Sequence, residues 1–94
     1  MGDRFYANGQ PARVIRDGVM TDYYKDAGLR AQGPVADGKM QGDWRFWRKT
    51  GELWQVCGFM DDLQHGELIR YARDGSVELR QWFDMGRKRK APPR

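Results

Sequence analysis

Cysteine and histidine are nearly missing from this chain, with one of each, Cys57 and His65, in 94 residues. A lone cysteine excludes an internal disulfide, and one Cys with one His forms no zinc pattern at ligand spacing. Also missing is any apolar run near the ~18 residues needed to cross a membrane, as is a charged-then-apolar N-terminal segment. The expected location is therefore the cytoplasm, where a free thiol stays reduced. No glycine stretch combines P-loop spacing with a Lys-Ser/Thr ending. Helix is not expected either, because few ten-residue windows lack glycine or proline and the apolar spacing does not sustain a 3.6 period.

What the chain does contain is aromatic residues, with four each of Trp, Tyr and Phe, and 12 glycines. Together they set a rhythm. Phe5 precedes Gly9, Tyr24 precedes Gly28, Trp47 precedes Gly51 and Tyr71 precedes Gly75, each by four residues. The best-matched stretches are Gly42–Gly51 and Gly66–Gly75, offset by 24 residues. A fixed period in the twenties marks a repeat architecture. Between these glycines lies a second set of breaks at Asp17-Gly18, Asp37-Gly38, Asp61-Asp62 and Met85-Gly86. Asn-Gly and Asp-Gly supply the positive backbone dihedrals of tight hairpin turns.

Two turns per period leave two short segments per period, rich in Trp, Tyr, Phe, Val and Ile and of strand length. Strands are expected near 3–7, 12–16, 20–25, 29–35, 43–48, 53–60, 67–72 and 77–83. Leu53, Cys57 and Phe59 alternate onto one face, as do Val77, Leu79 and Phe83. Trp54 and Val56 then fall on the opposite face, with Glu78 and Arg80. The expected fold is all-β: an elongated single antiparallel sheet of hairpin repeats over 1–86, about four copies with the first degenerate. A basic, disordered tail follows over 87–94. The copies break off after Trp82-Phe83-Asp84-Met85-Gly86, half a unit into the next one, leaving an open sheet edge through which a second chain can pair.

The formal net charge of +4 comes from that tail, since residues 87–94 hold five of the 17 basic side chains and none of the 13 acidic ones. The body, 1–86, carries 12 basic and 13 acidic side chains. A nucleic-acid or anionic-membrane role is accordingly confined to Arg87, Lys88, Arg89 and Lys90, which would contact phosphate.

The phrase Asp37-Gly38-Lys39-Met40-Gln41-Gly42-Asp43-Trp44-Arg45-Phe46-Trp47, continuing to Gly51, resembles a MORN repeat, in particular the bacterial variant of the YwqK-like antitoxin family. The next copy is looser, with Asp62 standing where Gly38 stood, Leu63 in place of Lys39 and Leu68 in place of the tryptophan. The resemblance spans about residues 24–87. It implies an all-β hairpin repeat used as a scaffold or binding surface, without catalytic residues or a cofactor. The antitoxin variant implies a protein partner, a toxin.

No residue set points to catalysis or to a metal. His65 occupies the position of Gln41 in the preceding copy and reads as a turn residue. Cys57 lies mid-strand and reads as a small hydrophobe. Asp61-Asp62 is explained by its turn. Tyr24, Trp47 and Tyr71, at the repeated position, are expected to build the shared core. Phe46 and Trp54 differ between copies, where Arg70 and Glu78 stand instead, so they are the candidates for an exposed binding face. Interleaved Arg45, Arg48 and Arg70 complete that candidate set, since Trp and Arg dominate interface energetics.

Overall fold

A computed structural model of the chain describes residues 2–92. Among these residues there is no helix, and so none long and apolar enough to cross a membrane. Ten strands form one open antiparallel sheet: β1 (Arg4–Phe5), β2 (Pro11–Arg16), β3 (Val19–Tyr23), β4 (Leu29–Ala36), β5 (Lys39–Met40), β6 (Gly42–Trp47), β7 (Leu53–Met60), β8 (Leu63–Tyr71), β9 (Val77–Asp84) and β10 (Arg87–Arg89). Each strand lies beside its chain neighbour, except that β5 is a short step off β4 before β6 rejoins it. The molecule measures 44 × 35 × 18 Å, dimensions that suit one curled layer.

Turn chemistry explains the order. At one end of the sheet, two-residue turns at Asp17-Gly18, Asp37-Gly38, Asp61-Asp62 and Met85-Gly86 hold both residues at positive φ, the backbone that matches strand twist in a tight hairpin. At the other end, five-residue turns span Tyr6–Gln10, Tyr24–Gly28, Arg48–Glu52 and Ala72–Ser76. In each, the first amide donates to the last carbonyl at 2.7–2.8 Å. The strand pair leading into each of these turns carries a register shift, between Arg4/Phe5, Asp22/Tyr23, Phe46/Trp47 and Arg70/Tyr71. On the returning strand, Ala12, Arg30, Trp54 and Glu78 are thereby left without a partner. These are β-bulges, and a bulge re-aims its side chain.

The core is a band across one face. Met20, Ala31 and Trp44 form one buried cluster; Cys57, Leu68 and Phe83 form the other; Phe46 and Phe59 pack against both. The register aligns Trp44 with Cys57 and Cys57 with Leu68, so one row of side chains crosses three strands. Trp44, 2% exposed, lies flat over Gly33, and its Nε1 donates to the Pro34 carbonyl at 2.9 Å. A methyl at position 33 would stand 2.3 Å from the indole.

Three expectations are corrected here. The band is built on Trp44, whereas Tyr24, Trp47 and Tyr71 stand half-buried where the strands enter their turns. Residue 54 does not share a face with Val56, because the bulge turns Trp54 toward Phe46 and Arg70. The basic tail does not begin as disordered chain: Arg87–Arg89 pair with β9 in register Arg87↔Asp84 and Arg89↔Trp82. Met85-Gly86 is a tight turn like the three before it, so the chain returns on β9 and covers its last three residues, 82–84. Among the described residues the open edges are the short β1 and β10 together with the stretches they leave uncovered, 14–16 of β2 and 77–81 of β9. Lys90 follows β10 and is exposed; residues 93–94 of the expected tail lie outside the described residues.

Candidate functional site

Between the second and third five-residue turns the sheet carries a groove of about 340 Å³. Its floor is Ala31 and Phe46, a cross-strand pair of β4 and β6. Tyr24, Trp47 and Trp54 form its walls, and Asp22 and Arg30 close one end. Two of these, Arg30 and Trp54, are the unpaired bulge residues of adjacent hairpins, which is why both lean over the same floor. The groove is held open by the turns: the Tyr24 hydroxyl donates to the Trp47 carbonyl at 2.8 Å, as Tyr6 does to the Tyr23 carbonyl at 2.7 Å.

The charged end is tightly bonded. Asp22 accepts from Arg13 Nε at 2.7 Å and from Arg13 Nη2 at 3.1 Å, one arginine nitrogen on each carboxylate oxygen. Arg30 Nη2 adds a third contact at 3.3 Å. Such bidentate pairs are the strong ones, and the Asp22 hydrogen bond raises the Arg13 guanidinium above its ordinary range. Arg30 is 49% exposed at its side chain and has guanidinium donors beyond the one on Asp22. On the opposite wall, the Arg70 guanidinium sits 4.8 Å from the centre of the Trp54 ring. Its Nε and Nη2 both donate to Gln55 Oε1, at 3.2 and 2.9 Å.

The five candidate residues separate. Phe46, Trp54 and Arg70 come together at the groove. Phe46 has a double duty, as floor of the groove and as core: its ring lies 6.2 Å from Trp44 and 6.4 Å from Phe59. Arg45 is exposed on the other face, in register with Gln32 and Val56. Arg48 is tied down at its turn, Nη2 donating to the Tyr71 carbonyl at 3.0 Å, with Nε buried and finding no hydrogen-bond partner among the described residues. Arg87, Lys88 and Arg89 are exposed on β10, where Arg89 reaches Asp84 at 3.4 Å. Sequence reasoning missed Asp22, Tyr24 as a wall, and Arg30. The available signal was the alignment of Arg30 with Trp54, each seven residues after an aromatic that ends its strand, Tyr23 and Trp47.

His65 and Cys57 both have structural occupations. His65 Nδ1 accepts from the Met85 amide at 3.1 Å, as Gln41 Oε1 accepts from the Asp61 amide at 3.1 Å. Cys57, 1% exposed, donates to the Gly58 carbonyl at 3.4 Å, and burial pushes its thiol pKa up. A buried thiol held protonated is a poor nucleophile. Comparison with known proteins adds nothing to this geometry, since no family model, curated protein or solved structure matches the chain.

Proposed function

We propose that the protein is a non-catalytic protein-binding module built of MORN-like hairpin repeats. The recurrence of one turn pattern and one bulge at each of four hairpins supports the repeat reading. The observation that carries the binding reading is the groove, where aromatic walls and partly exposed arginines converge on one side of a single-layer sheet. Tryptophan and arginine in such a setting supply the anchor contacts of protein interfaces. The narrower form, an antitoxin or immunity protein that covers a toxin, follows from the family resemblance. A cytoplasmic setting belongs to the same proposal.

A second reading rests on β10. It displays Arg87, Lys88 and Arg89 at an edge of the sheet, a surface suited to phosphate of nucleic acid or of anionic lipid. A scaffold that self-associates is a third reading; it would pair through the uncovered stretch 77–81 of β9, because two copies of β10 would oppose like charges.

Affinity capture of the tagged protein at moderate salt, repeated with Arg87, Lys88 and Arg89 all changed to Gln, separates these. Truncation after Gly86 would strip a strand from β9, so neutralisation is the cleaner perturbation. A stoichiometric protein partner retained by the neutralised variant supports the module. Recovery of nucleic acid or lipid alone, lost on neutralisation, overturns it in favour of the β10 reading. Captured protein consisting of the chain itself would favour the scaffold.

A further inference from the structure

We infer that the groove over Ala31 and Phe46 receives an acidic peptide segment bearing an aromatic side chain, whose ring lies between Tyr24, Trp47 and Trp54 while a flanking carboxylate reaches Arg30. This rests on the protein-binding reading above and gives the partner a chemistry.

Aromatic walls beside a carboxylate would ordinarily suit a cation. Here the carboxylate is already spent. Both Asp22 oxygens are engaged by Arg13, at 2.7 and 3.1 Å, and Arg30 adds a contact at 3.3 Å. The face of the Trp54 ring is likewise occupied by Arg70. Among the described residues that line the groove, Asp22 is the carboxylate and Arg30 the guanidinium, and the guanidinium groups of Arg13 and Arg70 stand directly behind Asp22 and Trp54. A cationic ligand would have to displace Arg30 and approach three like charges. An anionic one meets a half-exposed Arg30 with donors to spare.

The positive character is local, because the body of the chain has nearly balanced charge; it therefore selects at the groove instead of steering from a distance. A volume of about 340 Å³ is at the small end of ligand sites, roughly 300–1,000 Å³, and takes one or two side chains of a partner. An aromatic ring fits the apolar middle, offset or edge-on to its neighbours. Acidic residues beside it fall toward Arg30 at one wall and Arg70 at the other.

The test uses three capped pentapeptides of sequence Gly-Asp-Phe-Asp-Gly, Gly-Lys-Phe-Lys-Gly and Gly-Asp-Ala-Asp-Gly. Each is titrated to roughly 10 mM, a range that detects even the weakest specific binding. The readout is the indole N–H resonances of Trp47 and Trp54 in the full chain. The acidic aromatic peptide should shift both saturably, and the other two should not. Arg30→Gln, at a half-exposed position that spares the fold, should weaken binding about fivefold, the size of one partly screened charge contact. Arg80→Gln should leave it unchanged, since Arg80 is in register with Ile69 on the other face.

Preference for the lysine peptide would overturn the inference and make Asp22 the recognising group. Equal response to the alanine peptide would also overturn it, as would no saturable shift with any peptide. A captured protein partner indifferent to Arg30→Gln would sink the groove inference and leave the module standing. Absence of any protein partner in capture would instead remove the module reading.

Discussion

Replacing Gly33 by alanine tests the packing that the whole band depends on. Residue 33 has no special dihedral, so an alanine there is not strained by its own backbone. Its methyl would instead lie 2.3 Å from the Trp44 ring, over an ångström inside van der Waals contact. The indole has no easy retreat: it is 2% exposed, bonded through Nε1 to the Pro34 carbonyl, and packed near Phe46 and Phe59. Overpacking of this kind costs about 1–3 kcal/mol, and the rigid setting places Gly33→Ala near the top, about 3 kcal/mol. For a domain of this size, each kcal/mol moves Tm by roughly 4–8 °C, so a fall of about 15 °C is expected. Trp44→Ala alone should cost about 3–5 kcal/mol through the cavity it leaves. The decisive measurement is the double-mutant cycle by urea denaturation. With Trp44 already removed, Gly33→Ala should cost less than about 0.5 kcal/mol, or stabilise slightly by stiffening the unfolded chain. If Gly33→Ala cost the same in both backgrounds, the stacking of Trp44 on Gly33 would not be the reason for the glycine.

Three further outcomes are expected. His65→Gln should keep the acceptor for the Met85 amide, as Gln41 does for Asp61, while His65→Ala should lose about 0.5–1 kcal/mol; equal losses in denaturant melts would contradict the capping role. Gly58→Ala should destabilise by about 3 kcal/mol or more, since its methyl would meet the His65 carbonyl oxygen at 2.3 Å, a backbone atom that cannot swing away; a thermal melt within a few degrees of the parent would refute this. Cys57 should resist alkylation at pH 8 in the native state and react at the free-thiol rate in denaturant. Its folded pKa is raised, so its contribution to stability is whole below about pH 8.5, the unfolded value, and is lost as pH rises through the folded one. Cys57→Ala should therefore flatten part of the alkaline decline, and an unchanged pH profile would count against burial as the cause.

The strand pattern was legible because hairpin turns are local events. Asp17-Gly18, Asp37-Gly38, Asp61-Asp62 and Met85-Gly86 all hold positive dihedrals, which Asp and Gly favour and which Met85 adopts against its own preference, and the strand expected at 53–60 is found at Leu53–Met60. The strand expected at 67–72 starts earlier, at Leu63, because Gly66 is accommodated within β8 at positive φ and does not end it. Likewise Lys39–Met40 was absent from the expected set: two residues carry no period to read. The groove was only half legible. Trp54 and Phe46 stood out by differing between copies, but Asp22 looks like any strand-borne acid until Arg13, nine residues away, closes on it across β2 and β3.

By itself, the order of residues determined the class of fold, the positions of the turns and the separation of a nearly neutral body from a basic end. These follow from dihedral preference and side-chain type within a few residues. Tertiary structure alone decided that Trp54 and Arg30 lean over the same floor, that Trp44 takes the centre while Tyr24 and Trp47 become walls, and that Arg87–Arg89 pair with the end of β9. Each depends on register between strands. A single bulge, which costs the sequence one unpaired residue and leaves no mark in its periodicity, moves a side chain from one face of the sheet to the other.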